Sequence, residues 1–241
     1  MKLNVADFTD THPVIILCRN ALELTKKAVA SVLAQDIATQ IRIVDNHSTD
    51  GTPEWLETQL PRVTFQTFKP ELGVSASWNF ALTETFRKYD HCLVLNNDLE
   101  LLPQTYRVLL EDGGSFVTAV SVGDPAQLEW DGVIRKRPHP DFSCFLIRRE
   151  AWLKVGAFDE SMVLYASDAD YHLRMHHAGI EAYTIGVPFY HYASGTLKNA
   201  SEADKREIQR QADRDRDRFA EKWGCRVGSP EYYKLFNSEA P

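Results

Sequence analysis

Between residues 13 and 120, short apolar runs alternate with segments whose apolar positions recur at helical spacing, a pattern that predicts an α/β fold with a mainly parallel sheet. The runs are Pro13 to Cys18 (PVIILC), Ile41 to Val44 (IRIV), Val63 to Phe68, His91 to Leu95 (HCLVL) and Phe116 to Val120. Between them, Asn20 and Glu23 are spaced as a capping box ahead of a helix carrying Leu22, Val29, Val32 and Leu33 on one side. Pro53 suits the first turn of a helix that Pro61 stops, and Gly73 with Ser75 introduce an amphipathic helix through about Tyr89. The first strands end in polar residues, among them Asp45 and Asn96-Asn97-Asp98. Open parallel sheets bind ligands beyond the carboxyl ends of their strands, so Asp45 and Asp98 are expected to share one crevice.

The pattern then breaks. Gly123 to Asp141 reads as a loop or short hairpin, followed by a strand (SCFLIRR), a helix over Glu150 to Val155, and a turn at Gly156 to Asp159. A helix from about Asp168 to His177 closes at Gly179. From Ser201 to Trp223 the tail is strongly helical, with Ile208, Ala212, Phe219 and Trp223 on one narrow stripe. Its charges balance, seven acidic against seven basic between Glu202 and Lys222, which predicts a helix docked on the body rather than a nucleic-acid or membrane arm.

Composition narrows the class. With 241 residues, 44% hydrophobic and 25% charged, the chain has material for a substantial core, and it is expected to form a single domain. A net charge of -7 makes nucleic acid an unlikely main partner, because phosphate contacts need clustered cations. The four cysteines, Cys18, Cys92, Cys144 and Cys225, lie far apart, as expected of reduced thiols in a cytoplasmic protein. The start, Met1 to His12, lacks a signal-peptide pattern, and no apolar run approaches the roughly 18 residues that span a bilayer.

Several polar residues are candidates for chemistry. Asp98, after a buried strand and two carboxamides, suits a hard divalent cation, although Asn-Asn-Asp also suits a strand-ending turn. Asp45, Asn46, Ser48 and Asp50 offer hydrogen-bonding groups for a base or ribose, or for a loop. Ser167 and Asp170 fit a helix cap, and Asp170 and Arg174 an i,i+4 ion pair, which leaves Asp168 less accounted for. His176 and His177 suit a helix C-terminus, and His191 follows a strand-like segment.

Taken in order, VIILCRN, IRIVDNHSTDGT, LGVSASWNFAL, CLVLNND, FLIRREAWLKVGAFDE, LYASDADYHLRMHHAGI and HYASGT resemble glycosyltransferase family two, whose members have the GT-A fold, over roughly residues 13 to 196. The resemblance implies an inverting transfer of sugar from a nucleotide-sugar donor, a UDP- or dTDP-sugar, to an acceptor hydroxyl, most readily of a glycan. It implies that Leu17, Cys18, Arg19, Asn20 and Asp45 hold base and ribose, and that Ser48, Gly73, Asn79, Asn96 and Asn97 also lie on the donor. Asp98 is implied as the principal ligand of Mn²⁺ or Mg²⁺, His191 as a further ligand, and Asp168 as the general base. The sequence departs from the family pattern at Asn96, Asn97, Ser143 and Ser167, and at Trp78, where some members carry an arginine near the diphosphate. Those departures keep a catalytically silent sugar-nucleotide or glycan-binding protein as the alternative. A nucleotidyltransferase is the other, although Cys18-Arg19-Asn20 is no glycine-rich phosphate loop.

Overall fold

A computed structural model describes residues 11–192 and 201–236. The apolar run at the start becomes β1 (His12–Cys18), buried almost throughout, as expected of a strand covered on both faces. Alternate side chains part to opposite faces: Val14, Ile16 and Cys18 join one core cluster, Ile15 and Leu17 the other. Next come α1 (Leu22–Leu33), β2 (Thr39–Asp45), α2 (Thr52–Thr58), β3 (Val63–Thr67), α3 (Val74–Thr85) and β4 (His91–Asn96). The chain continues through β5 (Leu99–Leu101), α4 (Thr105–Asp112), β6 (Phe116–Val122), β7 (Cys144–Arg148), α5 (Arg149–Val155), α6 (Ser167–His177) and β8 (Ala182–His191). Two helices complete it, α7 (Glu202–Trp223) and α8 (Pro230–Lys234).

The eight strands form one sheet in the order β3-β2-β1-β4-β7-β6-β8-β5. β3, β2, β1 and β4 are all parallel, whereas β7 runs against both β4 and β6. The antiparallel turn has a simple cause: β6 and β7 are joined by a loop with one short 3₁₀ turn and no crossover helix, and a parallel pair would need such a crossover. Of the two readings of Gly123 to Asp141, the loop is the one that forms, and its bridge between Arg137 and Thr184 ties it to β8. Because β1 sends the chain to β2 on one side and pairs with β4 on the other, the strand order switches between β1 and β4, and a crevice opens at their carboxyl ends.

Three local expectations are corrected. The Asn20–Glu23 capping box does not form, because Asn20 and Ala21 both adopt left-handed backbone (φ 57° and 61°) and α1 is capped from another loop, Asp50 accepting from Leu22 N at 2.9 Å. The Ser167–Asp170 cap is likewise absent: Ala166, at φ 61°, stands at the cap position and Ser167 already lies inside α6. The third helix ends at Thr85 rather than about Tyr89. The Asp170–Arg174 pair does form, at 2.8 Å.

The tail helix docks as its stripe predicts. Ala212 and Phe219 are buried, and Phe219 joins Met162, Ala166, Ala169, Leu173 and Tyr232 in a third cluster between α6, α7 and α8. Fully burying Phe219, Leu173 or Met162 contributes roughly 1.5–3 kcal/mol each.

Candidate active site

Strand register assembles the crevice. Cys18 pairs with Asp45 across β1 and β2, and Leu17 pairs with Asn96 across β1 and β4. Around them lies a cavity of about 290 Å³ whose wall includes Leu17, Cys18, Arg19, Asn96, Asn97, Asp98 and His191. Arg19 and Asn20 also border an adjoining hollow with Asp50. So residues far apart in sequence meet as expected, but they do different work.

Asp45 is fully buried just beneath the wall. Its Oδ1 accepts from Ser48 N at 3.1 Å and faces the Cys18 thiol at 3.7 Å, while Oδ2 has no hydrogen-bond partner among the described residues. A buried acceptor left in that condition costs about 1–3 kcal/mol. Burial, and then the Asp45 charge, push the Cys18 thiol well above its ordinary value, so it stays protonated. Ser48 is a latch: its Oγ accepts from Asn20 N at 2.7 Å, and Asn20 Oδ1 accepts from Thr49 N at 2.7 Å. Asn97 fastens the other side, its amide donating to Asn20 O at 3.0 Å and to Thr25 Oγ1 at 2.9 Å. Asn96 is held through its backbone N–H, which donates to Ser143 O at 3.0 Å. The left-handed residues Asn20, Ala21 and His47 gather in these same loops, where such strain persists only if surrounding bonds enforce it.

Asp98 and His191 are brought together by the shortest strand. β5 pairs Leu99 with His191, Tyr192 N donates to Asp98 O at 2.9 Å, and His191 Nε2 then stands 3.2 Å from Asp98 Oδ1. That hydrogen bond to Asp98 raises the His191 pKa, with burial opposing it. Among the described residues no group of three or more His, Cys, Asp or Glu is arranged to hold a metal ion. A carboxylate and an imidazole are nevertheless a sufficient protein share for a cation that also binds substrate phosphates and waters, and the imidazole favours Mn²⁺ over Mg²⁺.

Asp168 opens α6 in a neighbouring cleft of about 660 Å³, and Tyr165 lines both this cleft and the first cavity. One carboxylate oxygen, Oδ1, accepts from Ala169 N at 2.8 Å, and the side chain reaches the cleft's solvent. The surrounding protein mass raises its pKa above the ordinary 3.8, and the Asp141 charge adds to the rise. Asp141 acts on His191 in the same direction, so its charge is felt at both places. Asp170, by contrast, is fully buried and committed to Arg174, Trp223 and Lys222, which leaves it no part as a base.

Gly73 and Asn79 serve as scaffold. Gly73 has φ 81°, and an added Cβ would stand 2.4 Å from Val163 Cγ1 and 2.9 Å from Val163 O. Asn79 spends its amide on the Phe158 backbone and Glu160. Trp78 is buried in the core beside Phe142, Phe145 and Phe158, away from the crevice wall. Its indole N–H has no hydrogen-bond partner among the described residues.

Sequence reasoning missed Asp215. From the buried side of α7, its two oxygens accept from three successive backbone N–H groups, Val163 at 3.0 Å, Leu164 at 2.7 Å and Tyr165 at 2.9 Å. The same loop is held from α3, where Val74 N donates to Val163 O at 2.7 Å and Ser75 Oγ to Met162 O at 2.6 Å. Gly73→Ala is therefore expected to destabilise the protein by about 2–4 kcal/mol, from positive φ plus overpacking against Val163, measured by denaturant unfolding.

The sequence matches the family described as glycosyl transferase family 2 over residues 14–173. The chain belongs to that family. Its members are glycosyltransferases, and so is this one. It is 23% identical over 235 residues to an N-acetylglucosaminyl-diphospho-decaprenol L-rhamnosyltransferase of Mycobacterium tuberculosis, the match covering 76% of each chain. In shape it is similar to S. aureus TarS (TM-score 0.60, 15% identity, 83% of this chain and 42% of that one). It is similar also to a mannosyltransferase from Pyrobaculum calidifontis in complex with GDP-mannose and Mn²⁺ (TM-score 0.61, 17% identity, 96% and 69%). The chain thus spans less than half the length of TarS. These shapes are those of GT-A glycosyltransferases. No helix among the described residues is long and apolar enough to cross a membrane. The family's late histidine motif reaches past Tyr192 into residues 193–196, which lie outside the described residues.

Proposed function

We propose that this family 2 member is a single GT-A domain that transfers a sugar from a UDP- or dTDP-sugar to a glycan hydroxyl in one inverting displacement. The observation that carries the reading is the meeting of Asp98 with His191, 93 residues apart, at the strand-order switch and beside a cleft holding Asp168. Asp45, Leu17, Cys18, Arg19 and Asn20 bind base and ribose, with a base N–H meeting the unpartnered Asp45 Oδ2. Asp98 and His191 hold a divalent cation, Mn²⁺ better than Mg²⁺. When bound, such a cation supplies positive charge against the departing diphosphate. Asp168 takes the acceptor's hydroxyl proton as that oxygen bonds to the anomeric carbon and the bond to the nucleotide diphosphate breaks. The Mn²⁺ and GDP-mannose in the Pyrobaculum neighbour support the donor and metal classes, and the diphospho-decaprenol sugar named for the mycobacterial relative supports a glycan acceptor. Four unpaired cysteines support a reducing, cytoplasmic setting.

A thermal-shift panel of nucleotide sugars with and without Mn²⁺ tests the reading. The true donor at a hundredfold its Kd adds about 2.7 kcal/mol of stability, and the gain should need the metal. Exhaustive chelation is expected to stop transfer, with Mn²⁺ restoring it; undiminished turnover would remove Asp98 and His191 from a metal role. Asp45→Ala should weaken binding of the donor's nucleotide by tenfold or more in calorimetry while the protein stays folded, and unchanged affinity would take Asp45 out of the site.

A further inference from the structure

Past Asp168 along α6 lies another cavity, of about 590 Å³, whose wall shares no residue with the cavity beside Asp98. Four pieces of chain wall it: Lys136, Arg137 and His139 from the long loop, His172 and His176 from α6, the entry to β8 around Glu181, and aromatic side chains from the C-terminal segment. Asp168, His172 and His176 follow one another at i,i+4 spacing, so they lie along one side of the helix, with successive turns about 5.4 Å apart. Tyr232 links the two places. Its ring lines the cavity, and its phenol pKa is raised by burial and then by the Asp168 charge.

Arg137 is pinned at its backbone, N and O both bonding Thr184 at 2.8 and 2.9 Å, while its guanidinium has no hydrogen bond or ion pair among the described residues. The rings of His139, His172 and His176 pack against Tyr233 or Phe236 and likewise make no hydrogen bond there. Burial, then the neighbouring His139 and His176, lower the His172 pKa to about 4, so at neutral pH it offers an N–H rather than a charge. Lys136 Nζ stands 3.8 Å from Asp112 and adds a second cation. Among the described residues Glu181 is the one carboxylate on the wall, in a chain whose overall net charge is -7.

We propose that this cavity binds a phosphate ester carried by the acceptor, most simply a diphosphate linked to the sugar whose hydroxyl Asp168 deprotonates. A guanidinium, an ammonium and several imidazole N–H donors around one space suit phosphate oxygens, which accept charge-assisted bonds from all of them. One helical turn from Asp168 to His172 is the scale of a pyranose ring, so a sugar can present its hydroxyl to Asp168 and its phosphate to the cavity. The inference rests on the transferase reading, but its test needs no turnover.

The probe is inorganic pyrophosphate, titrated into the full chain in chelator while the imidazole NMR signals are followed. Saturable shifts are expected at His172 and His176 and not at His191, and Arg137→Ala, at an exposed loop position, should weaken binding at least fivefold without moving the melting temperature. Shifts confined to His191, no saturable shift, or an affinity that Arg137→Ala leaves unchanged would overturn the proposal. Loss of transfer in the Asp168→Asn variant is read separately, so the transferase reading and the phosphate site can fail independently.

Discussion

Replacing Asp168 by asparagine is expected to lower turnover by roughly a hundredfold or more, the usual scale of general-base catalysis, while donor affinity and melting temperature change little. The reason lies in what the carboxylate does in the fold. The hydrogen bond it accepts from Ala169 N, at 2.8 Å, can be accepted equally well by an asparagine oxygen, so α6 keeps its start. Proton acceptance is what the substitution removes. The pH profile checks the same residue, because a base must be ionised. Desolvation by the protein around its cleft, with Asp141 adding, raises the Asp168 pKa, so activity should fall on the acid side at a pH above the ordinary carboxylate value of 3.8, as Asp168 gains its proton. Asp141→Asn removes the repulsion and should move that limb to lower pH. Near-normal turnover of purified Asp168→Asn with the true acceptor would place the base elsewhere, and Asp141 would be the next candidate, since Asp170 is buried and fully engaged.

Asp215→Ala is expected to cost about 3–5 kcal/mol, because it strips the partner from three successive backbone N–H groups at a fully buried position. For a chain of this size that corresponds to a fall in melting temperature on the order of 10 °C. Alanine also leaves Gln211 Nε2, now 2.7 Å from Oδ1, without its acceptor. Asparagine keeps one acceptor oxygen and should recover part of the loss. Activity should drop in step with stability, since Leu164 and Tyr165 line the donor cavity and the same loop leads into Asp168. The two variants thus separate roles: Asp168→Asn is stable and slow, Asp215→Ala is unstable, and a melting temperature untouched by Asp215→Ala would show that α7 does not hold the loop.

Much of the frame was legible because burial on both faces writes itself as continuous apolar runs, and strand ends then show as the first polar residues after them. PVIILC, IRIV and HCLVL became β1, β2 and β4, and Asp45 and Asp98 came to the carboxyl ends of β2 and β4, on either side of β1. The ordered motifs also identified the family that the whole-sequence comparison shows. Local polar patterns misled where tertiary bonds outbid them. Asn20-x-x-Glu23 has the spacing of a cap, yet left-handed backbone at Asn20 and Ala21 turns the chain toward the Ser48–Asp50 loop, and Asp50 caps the helix instead.

A signal for Asp215 was present and unread: it stands at helical spacing between Ala212 and Phe219, an acid inside the apolar stripe, and a buried acid needs donors. Which donors, no spacing could reveal. By itself the sequence determined strands, helices and the chemical types at their ends, because periodicity records which side of each element is buried. Only the tertiary structure decided that β5 presses Asp98 to His191, that Gly73 and Asn79 are scaffold, and that Asp170 is structural while Asp168 stays open to its cleft. Each of those outcomes depends on partners tens of residues away, and the distance and direction between such partners exist only once the sheet order and the docking of α7 have closed the chain on itself.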